Sequence, residues 1–163
     1  MPWPDVLRLK IGEKMTSEQA KEQAIKNFKS GMNCAQAVST VFAESLGVEK
    51  SFIQKIAQPF GGGMCRMREV CGCVSGMMLA LGLYKGSDSD SKEAKDEVYA
   101  IGQKLAKEFE DANGSIVCGE LLGIKKGSPV SEARTNEYYK KRPCGELCGM
   151  AAEIFQKYLD SAE

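Results

Sequence analysis

The 163-residue sequence contains no histidine. Imidazole is the usual general base in nucleophilic catalysis and the commonest nitrogen ligand for metals. Its absence excludes Ser/His and Cys/His catalysis, c-type haem attachment and every mixed Cys/His zinc site. Any metal or redox chemistry in this chain must therefore use sulfur.

The chain also lacks an excess of charge and a long apolar run. Lys plus Arg and Asp plus Glu number 22 each, and the two signs are interspersed along the chain. No extended basic surface is therefore expected, and we expect no nucleic-acid partner. Residues 1–5 lack the basic and apolar regions of a signal peptide, and no stretch of about 18 apolar residues occurs. We expect a cytoplasmic protein without membrane insertion.

Seven cysteines are the most distinctive residues that the chain does contain. A chain of this length forms about one domain and buries roughly two-thirds of its unfolded surface, so folding does not require disulfides. In a reducing cytosol, thiols are metal ligands, redox groups or small buried hydrophobes before they are structural bridges. For each cysteine taken singly, the role of a small core residue stays open.

Glycine and proline divide the chain into helical segments, and no convincing β alternation is present. We expect residues 1–15 to form a loose arm and residues 16–163 to form a single all-α domain, a bundle of about six helices with a buried central helix. The predicted segments are a helix from the capping box at 16–19 to Gly31, a helix from Asn33 to Gly47, a short helix at 49–57, the apolar central helix at 70–84, a long helix between Ser91 and Gly114, a short turn at 118–123, a polar segment at 131–139 and a final helix from Pro143.

Four cysteines fall at the start of predicted helices, and we call them the helix-start cysteines: Cys34, Cys71, Cys118 and Cys144. Unpaired N–H groups and the positive end of the helix macrodipole favour thiolate over thiol at such positions. Positive charge at residues 140–142 adds to this effect for the last of them. Four inward-facing thiols of this kind would suit an anionic, sulfur-ligated centre inside a bundle.

Spacing alone does not identify such a centre. The seven cysteines form neither the ferredoxin run nor paired zinc knuckles, and no CxxC redox motif is present. If Cys71 and Cys73 are both helical, they point about 200° apart, so at most one of them would join a shared site. Cys144 and Cys148 share a helix face. Residues 61–63 are three glycines, but neither a preceding strand nor a Gly-Lys-Ser/Thr ending accompanies them, and close backbone packing is their favoured role.

An ordered set of short motifs resembles a known family. The motifs are Asn33-Cys34-Ala35-Gln36-Ala37-Val38, Phe60-Gly61-Gly62-Gly63-Met64, Cys71-Gly72-Cys73-Val74-Ser75-Gly76, Cys118 with Glu120-Leu121-Leu122-Gly123, and Cys144 at the start of a terminal amphipathic helix. Over about residues 17–160 the chain resembles the C_GCAxxG_C_C family of “putative redox-active” proteins. The resemblance implies a small, mainly helical prokaryotic protein whose family cysteines are the four helix-start cysteines. A similar domain in split-Soret cytochromes is associated with an iron–sulfur centre, which implies that these four thiols bind a cluster, with [2Fe–2S] favoured.

The remaining cysteines, Cys65, Cys73 and Cys148, depart from the family pattern and are additional thiols. Each is interpreted as a buried substitute, and Cys65 alternatively as a resolving thiol or replacement ligand. Three functions stay open: electron transfer through an iron–sulfur cluster, thiol–disulfide exchange by Cys144 or Cys34, and a structural all-cysteine zinc site. The sequence assigns no enzymatic activity. A redox partner protein of unspecified identity and a homodimer are both compatible with it.

Overall fold

The part of the protein that the computed structural model describes, residues 14–162, contains eight α-helices and two short 3-10 turns. The helices are α1 (Ser17–Lys29), α2 (Cys34–Ser39), α3 (Lys50–Ala57), α4 (Gly72–Lys85), α5 (Lys92–Asn113), α6 (Cys118–Leu122), α7 (Asn136–Lys141) and α8 (Cys144–Ser161), and the 3-10 turns are Thr40–Phe42 and Gln58–Phe60. The described residues contain no β-strand, so the all-α prediction is confirmed. The number of helices exceeds the expected six because the segments α6 and α7 are also helical.

Local capping places the ends of α1 and α5 close to where the sequence predicts them. The Thr16 hydroxyl accepts a hydrogen bond from the Gln19 N–H at 3.1 Å, and the Gln19 side chain accepts one from the Thr16 N–H at 2.9 Å. At α5, the Ser91 hydroxyl accepts from the Ala94 N–H, and Gly114 ends the helix with φ 88°. These signals involve residues close in sequence, so tertiary packing does not override them.

The second helix is shorter than predicted. It was expected to continue to Gly47, but α2 ends at Ser39 and a 3-10 turn follows. The hydroxyl of Ser39 donates to the Ala35 carbonyl, and the hydroxyl of Thr40 donates to the Gln36 carbonyl. Such bonds from Ser and Thr to the preceding turn compete with the regular helical ladder and often bend or end it.

Two other helices begin later than predicted. The central helix α4 begins at Gly72, not at residue 70, because Val70 pairs with Val117 in an isolated antiparallel bridge. The polar helix α7 begins at Asn136, not at residue 131, because Thr135 is its N-cap and accepts from the N–H of the third helical residue. Both differences are small.

The core lies where α1, α2, α4 and α8 meet. The contact between α1 and α8 is the most extensive, and α8 also packs against α2, α4 and α5. Large side chains such as Phe42, Met77 and Phe155 are fully buried there. The rings of Phe42 and Phe155 meet edge to face, with centroids 4.8 Å apart. This packing holds α2, α4 and α8, which carry most of the cysteines, in fixed relative positions.

The predicted loose arm, residues 1–15, lies outside the described residues except for its last two. Of these, Met15 packs against the core, and the ammonium group of Lys14 lies 3.4 Å from a carboxylate oxygen of Asp160 on α8. Within residues 14–162, the helices include none that is both long and apolar enough to cross a membrane.

Candidate metal and redox site

The helix-start cysteines lie at the starts of four helices that are distant in sequence. Cys34, Cys118 and Cys144 are the first residues of α2, α6 and α8, and Cys71 is the N-cap of α4. All four line one cavity of about 530 Å³. The structure therefore brings together the four thiols that the sequence selected.

A short backbone pairing places Cys71 and Cys118 near each other. The Cys71 N–H donates to the Ile116 carbonyl at 2.7 Å, and the Cys118 N–H donates to the Glu69 carbonyl at 2.6 Å. These bonds flank the antiparallel bridge between residues 70 and 117. The sequence offered only a weak local sign of the pairing, a β-branched valine immediately before each cysteine.

A strained, glycine-rich loop lies against the same cavity. Five consecutive residues, 62–66, have positive φ, including the non-glycine residues Met64, Cys65 and Arg66 at 64°, 48° and 60°. The left-handed conformation costs about 1–2 kcal/mol for each non-glycine residue. A Cβ atom on Gly63 would lie 2.7 Å from the Cβ of Cys118. The prediction of close backbone packing by these glycines is confirmed, and strain of this kind is often retained at functional sites.

Cys73 and Cys148, which we call the buried pair, lie behind the cavity. Both are fully buried, and their Sγ atoms are 3.5 Å apart. Neither lines the cavity. Together with Cys34, they form a group whose three Sγ atoms lie within 4.8 Å of one another, which is close enough to hold a metal ion. Cys34 therefore belongs both to the cavity and to this deeper group.

The expectation that Cys71 and Cys73 face opposite sides depends on both residues being helical, and the structure does not meet this condition. Cys71 has the non-helical angles φ −52° and ψ 132°. A hydrogen bond with the Cys73 side chain, helped by the backbone N–H groups of Cys73 and Val74, lowers the pKa of Cys71 against the opposing effect of burial. The two thiols therefore interact, although Cys71 lines the cavity and Cys73 does not.

Cys65 differs from the other six thiols. All seven cysteines lie within the described residues, and Cys65 is the exposed one. It sits on the strained loop and lines the cavity. Its position allows contact with solvent or with a molecule entering the cavity, and it is not a buried substitute.

Burial and contacts between thiols raise the pKa of two helix-start thiols, Cys118 and Cys144. Burial raises the pKa of Cys118, and the nearby guanidinium of Arg68 offsets this only in part. A hydrogen bond with Cys34 and burial raise the pKa of Cys144 well above its ordinary value, although the charge of Arg142 opposes them. The expectation that thiolate is favoured over thiol at helix starts is therefore wrong for Cys118 and Cys144. Without a metal, these thiols hold their protons at neutral pH.

The buried pair is electrostatically asymmetric. Burial raises the pKa of Cys73 well above its ordinary value, and contacts with Cys148 and Cys34 raise it further. Burial would also raise the pKa of Cys148, but hydrogen bonds with Cys34 and Cys73 outweigh it and lower that pKa. Within this group, Cys148 is the thiol that loses its proton first.

Comparison with known proteins agrees with the cysteine pattern. The profile of the family described as “Putative redox-active protein (C_GCAxxG_C_C)” matches residues 32–158, a range that contains all seven cysteines. An uncharacterized protein of Archaeoglobus fulgidus is 27% identical over 146 residues, which cover 85% of this chain and 91% of the relative. No solved structure gives a significant match. Because the profile spans most of the chain, the protein belongs to the C_GCAxxG_C_C family of “putative redox-active” proteins.

Proposed function

We propose that the protein holds an iron–sulfur cluster, [2Fe–2S] in preference, on the four helix-start cysteines and uses it to transfer single electrons. The observation that carries the proposal is the convergence of these four thiols on one cavity. Cysteine thiolates are the usual ligands of iron–sulfur clusters. Without histidine, cysteine sulfur is the soft ligand type that the chain offers to a cluster.

The surroundings of the cavity suit a centre with negative charge. The Arg68 Nη1 lies 3.6 Å from the Cys118 Sγ, at hydrogen-bonding distance for sulfur. Hydrogen bonds and positive charge near cluster sulfurs, together with burial, adjust the reduction potential. Thiols with raised pKa must release protons when a metal binds, so uptake of the centre is coupled to pH.

The main competing hypothesis for the metal site is a zinc ion that is bound by a different set of cysteines. Cys34, Cys73 and Cys148 have their Sγ atoms within 4.8 Å of one another, which suits a single ion. A structural zinc site needs a fourth ligand. Cys144, which interacts with Cys34 by a side-chain hydrogen bond, is a candidate for it. This arrangement would make the protein a structural module and not an electron carrier.

Thiol–disulfide chemistry is a second candidate function, and the buried pair favours it. The 3.5 Å separation of the Cys73 and Cys148 Sγ atoms brings two thiols into direct contact. Both are fully buried, so neither can attack a disulfide of a protein substrate in this conformation. Exchange with a substrate would have to begin at a thiol that lines the cavity, such as Cys34 or Cys144.

The proposal also carries expectations for the cellular setting. An electron carrier with free thiols would work in the cytoplasm, where thiols stay reduced. It would exchange electrons with a separate redox protein, with residues 16–163 acting as one domain. A homodimer is compatible with this role but is not required for it.

The decisive experiment is anaerobic purification followed by an absorption spectrum and analysis of iron, sulfide and zinc. The cluster proposal expects a coloured protein with about two iron and two sulfide ions per chain. A colourless protein without iron, even after reconstitution, would contradict it. Stoichiometric zinc in that colourless protein would favour the structural module.

A further inference from the structure

The cavity in front of the helix-start cysteines is larger than a metal centre requires. Its volume of about 530 Å³ falls within the range of roughly 300–1,000 Å³ that is typical of pockets for small organic ligands. A metal ion or a small cluster fills only part of such a volume. Apolar side chains, among them Phe28, Leu121 and Leu147, form part of the wall. The cavity therefore has room and apolar surface for a second molecule.

The charged groups of the cavity wall are mainly positive. Four arginines and one carboxylate line it, namely Arg66, Arg68, Arg134, Arg142 and Glu132. The Glu132 Oε1 pairs with both Arg66 and Arg142, so a single carboxylate serves two guanidinium groups. A cleft with charge of one sign and low-dielectric walls concentrates ligands of the opposite charge.

Arg68 is the most deeply buried of these arginines. It is only 7% exposed, and no carboxylate among residues 14–162 forms an ion pair with it. Its Nη1 contacts the Cys118 sulfur, and its Nε is buried without a hydrogen-bond partner. A buried guanidinium without a negative partner is costly.

Arg134 adds a positive charge to the cavity wall, and the groups that accept its hydrogen bonds are neutral. Its guanidinium carbon lies 4.5 Å from the centre of the Phe28 ring and 4.8 Å from that of Tyr138. Its N–H groups donate to the carbonyls of Phe28 and Met32. The two rings flank the guanidinium group, and no carboxylate among residues 14–162 forms an ion pair with it.

We propose that this cavity binds a small organic carboxylate, with its negative group drawn to the arginines and an apolar, ring-sized body against Phe28 and the leucines. Four thiolates bound to a [2Fe–2S] core of charge +2 give the centre a net charge of about −2. The four arginines and Glu132 give the cavity an excess of about three positive charges. A bound centre would reduce this excess to about one. A monocarboxylate matches this remainder better than a phosphate dianion does. The inference names a ligand class for the cavity of the proposed metal site, and its preference for a monocarboxylate over a phosphate dianion rests on that proposed function.

Isothermal titration calorimetry with benzoate tests the proposal, with benzamide as the neutral probe of the same shape and inorganic phosphate as the alternative anion. We expect benzoate to bind at least tenfold more tightly than either, because only benzoate combines a charged carboxylate for the arginines with an apolar ring for the wall. Arg68→Gln should weaken benzoate binding at least tenfold. Arg142→Gln should also weaken it, which keeps the test decisive if Arg68→Gln does not fold. Lys104→Gln, which removes a charge on α5 outside the cavity wall, should change it less than twofold.

Equal binding of benzoate and benzamide would overturn the proposal, and so would tighter binding of phosphate. Iron and sulfide analysis of the same samples separates this inference from the proposed function. Benzoate binding by a protein that takes up no iron would support the anion pocket and contradict the cluster. A protein that carries a full cluster but does not bind benzoate would support the cluster and contradict the anion pocket.

Discussion

Val70 pairs with Val117 in an antiparallel bridge, and the residue that follows each valine is a cysteine. Successive side chains in extended backbone point to opposite faces. Cys71 and Cys118 therefore share the face opposite the valines, and both are buried, at 4% and 6% exposure, whereas Val70 is 41% exposed. One backbone pairing thus directs two thiols from distant parts of the chain into the same cavity.

The first prediction concerns which thiols hold the centre. Serine at any one of the helix-start cysteines removes a ligand, so each of these four variants should lose the iron–sulfur absorption and most of its iron. Cys65→Ser should keep both, because Cys65 is exposed on the loop. Iron and sulfide content per chain after anaerobic purification is the measurement.

The buried pair supplies the opposing test. Cys73→Ser should keep the centre, although a buried hydroxyl in place of a thiol is expected to lower the free energy of unfolding by about 1–3 kcal/mol. If Cys73→Ser and Cys148→Ser both abolish metal binding while Cys71→Ser and Cys118→Ser retain it, the deeper group is the metal site and the assignment to the cavity is wrong.

The second prediction concerns the reduction potential. Arg68 places a positive charge and an N–H donor 3.6 Å from the Cys118 Sγ. Reduction adds negative charge to the centre, so this guanidinium stabilises the reduced form. Arg68→Gln should therefore lower the midpoint potential, and Arg68→Lys, which keeps the charge, should lower it less. Redox titration followed by absorption and electron paramagnetic resonance measures the shift. An unchanged potential in Arg68→Gln would show that this contact does not affect the centre.

The third prediction compares two glycines. Gly63 has φ 73°, and an added Cβ would meet the Cys118 Cβ and the Glu69 backbone nitrogen at 2.7 Å. Gly63→Ala should therefore lower the free energy of unfolding by about 2 kcal/mol or more and reduce iron content. Gly82 lies within α4, where a Cβ would meet nothing within 4 Å. Gly82→Ala should raise the free energy of unfolding by about 0.5–1 kcal/mol. Denaturant unfolding of the metal-free protein measures both, and equal effects would refute the argument.

The fourth prediction concerns pH. Burial raises the pKa of the Cys118 thiol above its ordinary value of 9.0. The protonated thiol is thus favoured in the folded protein, and its contribution to stability is complete below pH 9.0 and declines as the pH rises from there towards the folded value. The free energy of unfolding of the metal-free protein should fall above about pH 9, and Cys118→Ala should reduce the slope.

Metal loading provides the control for this pH effect. Metal ligation requires thiolate, so the loaded protein has no proton to lose from Cys118 on alkaline titration. Ultraviolet absorption of thiolate, followed during alkaline titration of the folded metal-free protein and of the same protein in denaturant, measures the difference directly. If the folded protein titrates as many thiols at pH 9 as the unfolded chain, burial does not protect them.

Local signals predicted a large part of this fold. The capping box at Thr16, the cap at Ser91 and the stop at Gly114 depend on residues within one helical turn, and the structure agrees with them. The end of α2 was missed because hydroxyl bonds to the preceding turn at Ser39 and Thr40 leave no distinctive sequence pattern. Element type was therefore more predictable than element length.

The candidate site was only partly predictable. The placement of four cysteines at helix starts followed from capping residues and from the family resemblance. The contact between Cys73 and Cys148 did not, because it depends on how α4 packs against α8. The role of Arg68 was also missed, since its burial against Cys118 depends on a loop of left-handed residues that the glycines alone do not specify.

The sequence by itself determined the chemistry that is available and the helix starts that carry it, because composition and capping are local properties of the chain. It excluded imidazole and placed four thiols at helix starts. Only the tertiary structure decided that these thiols line one cavity, that Cys34 also approaches the buried pair, and that burial raises the pKa of Cys118. Distances and desolvation arise from the packing of segments that are far apart in sequence, and no local pattern encodes them.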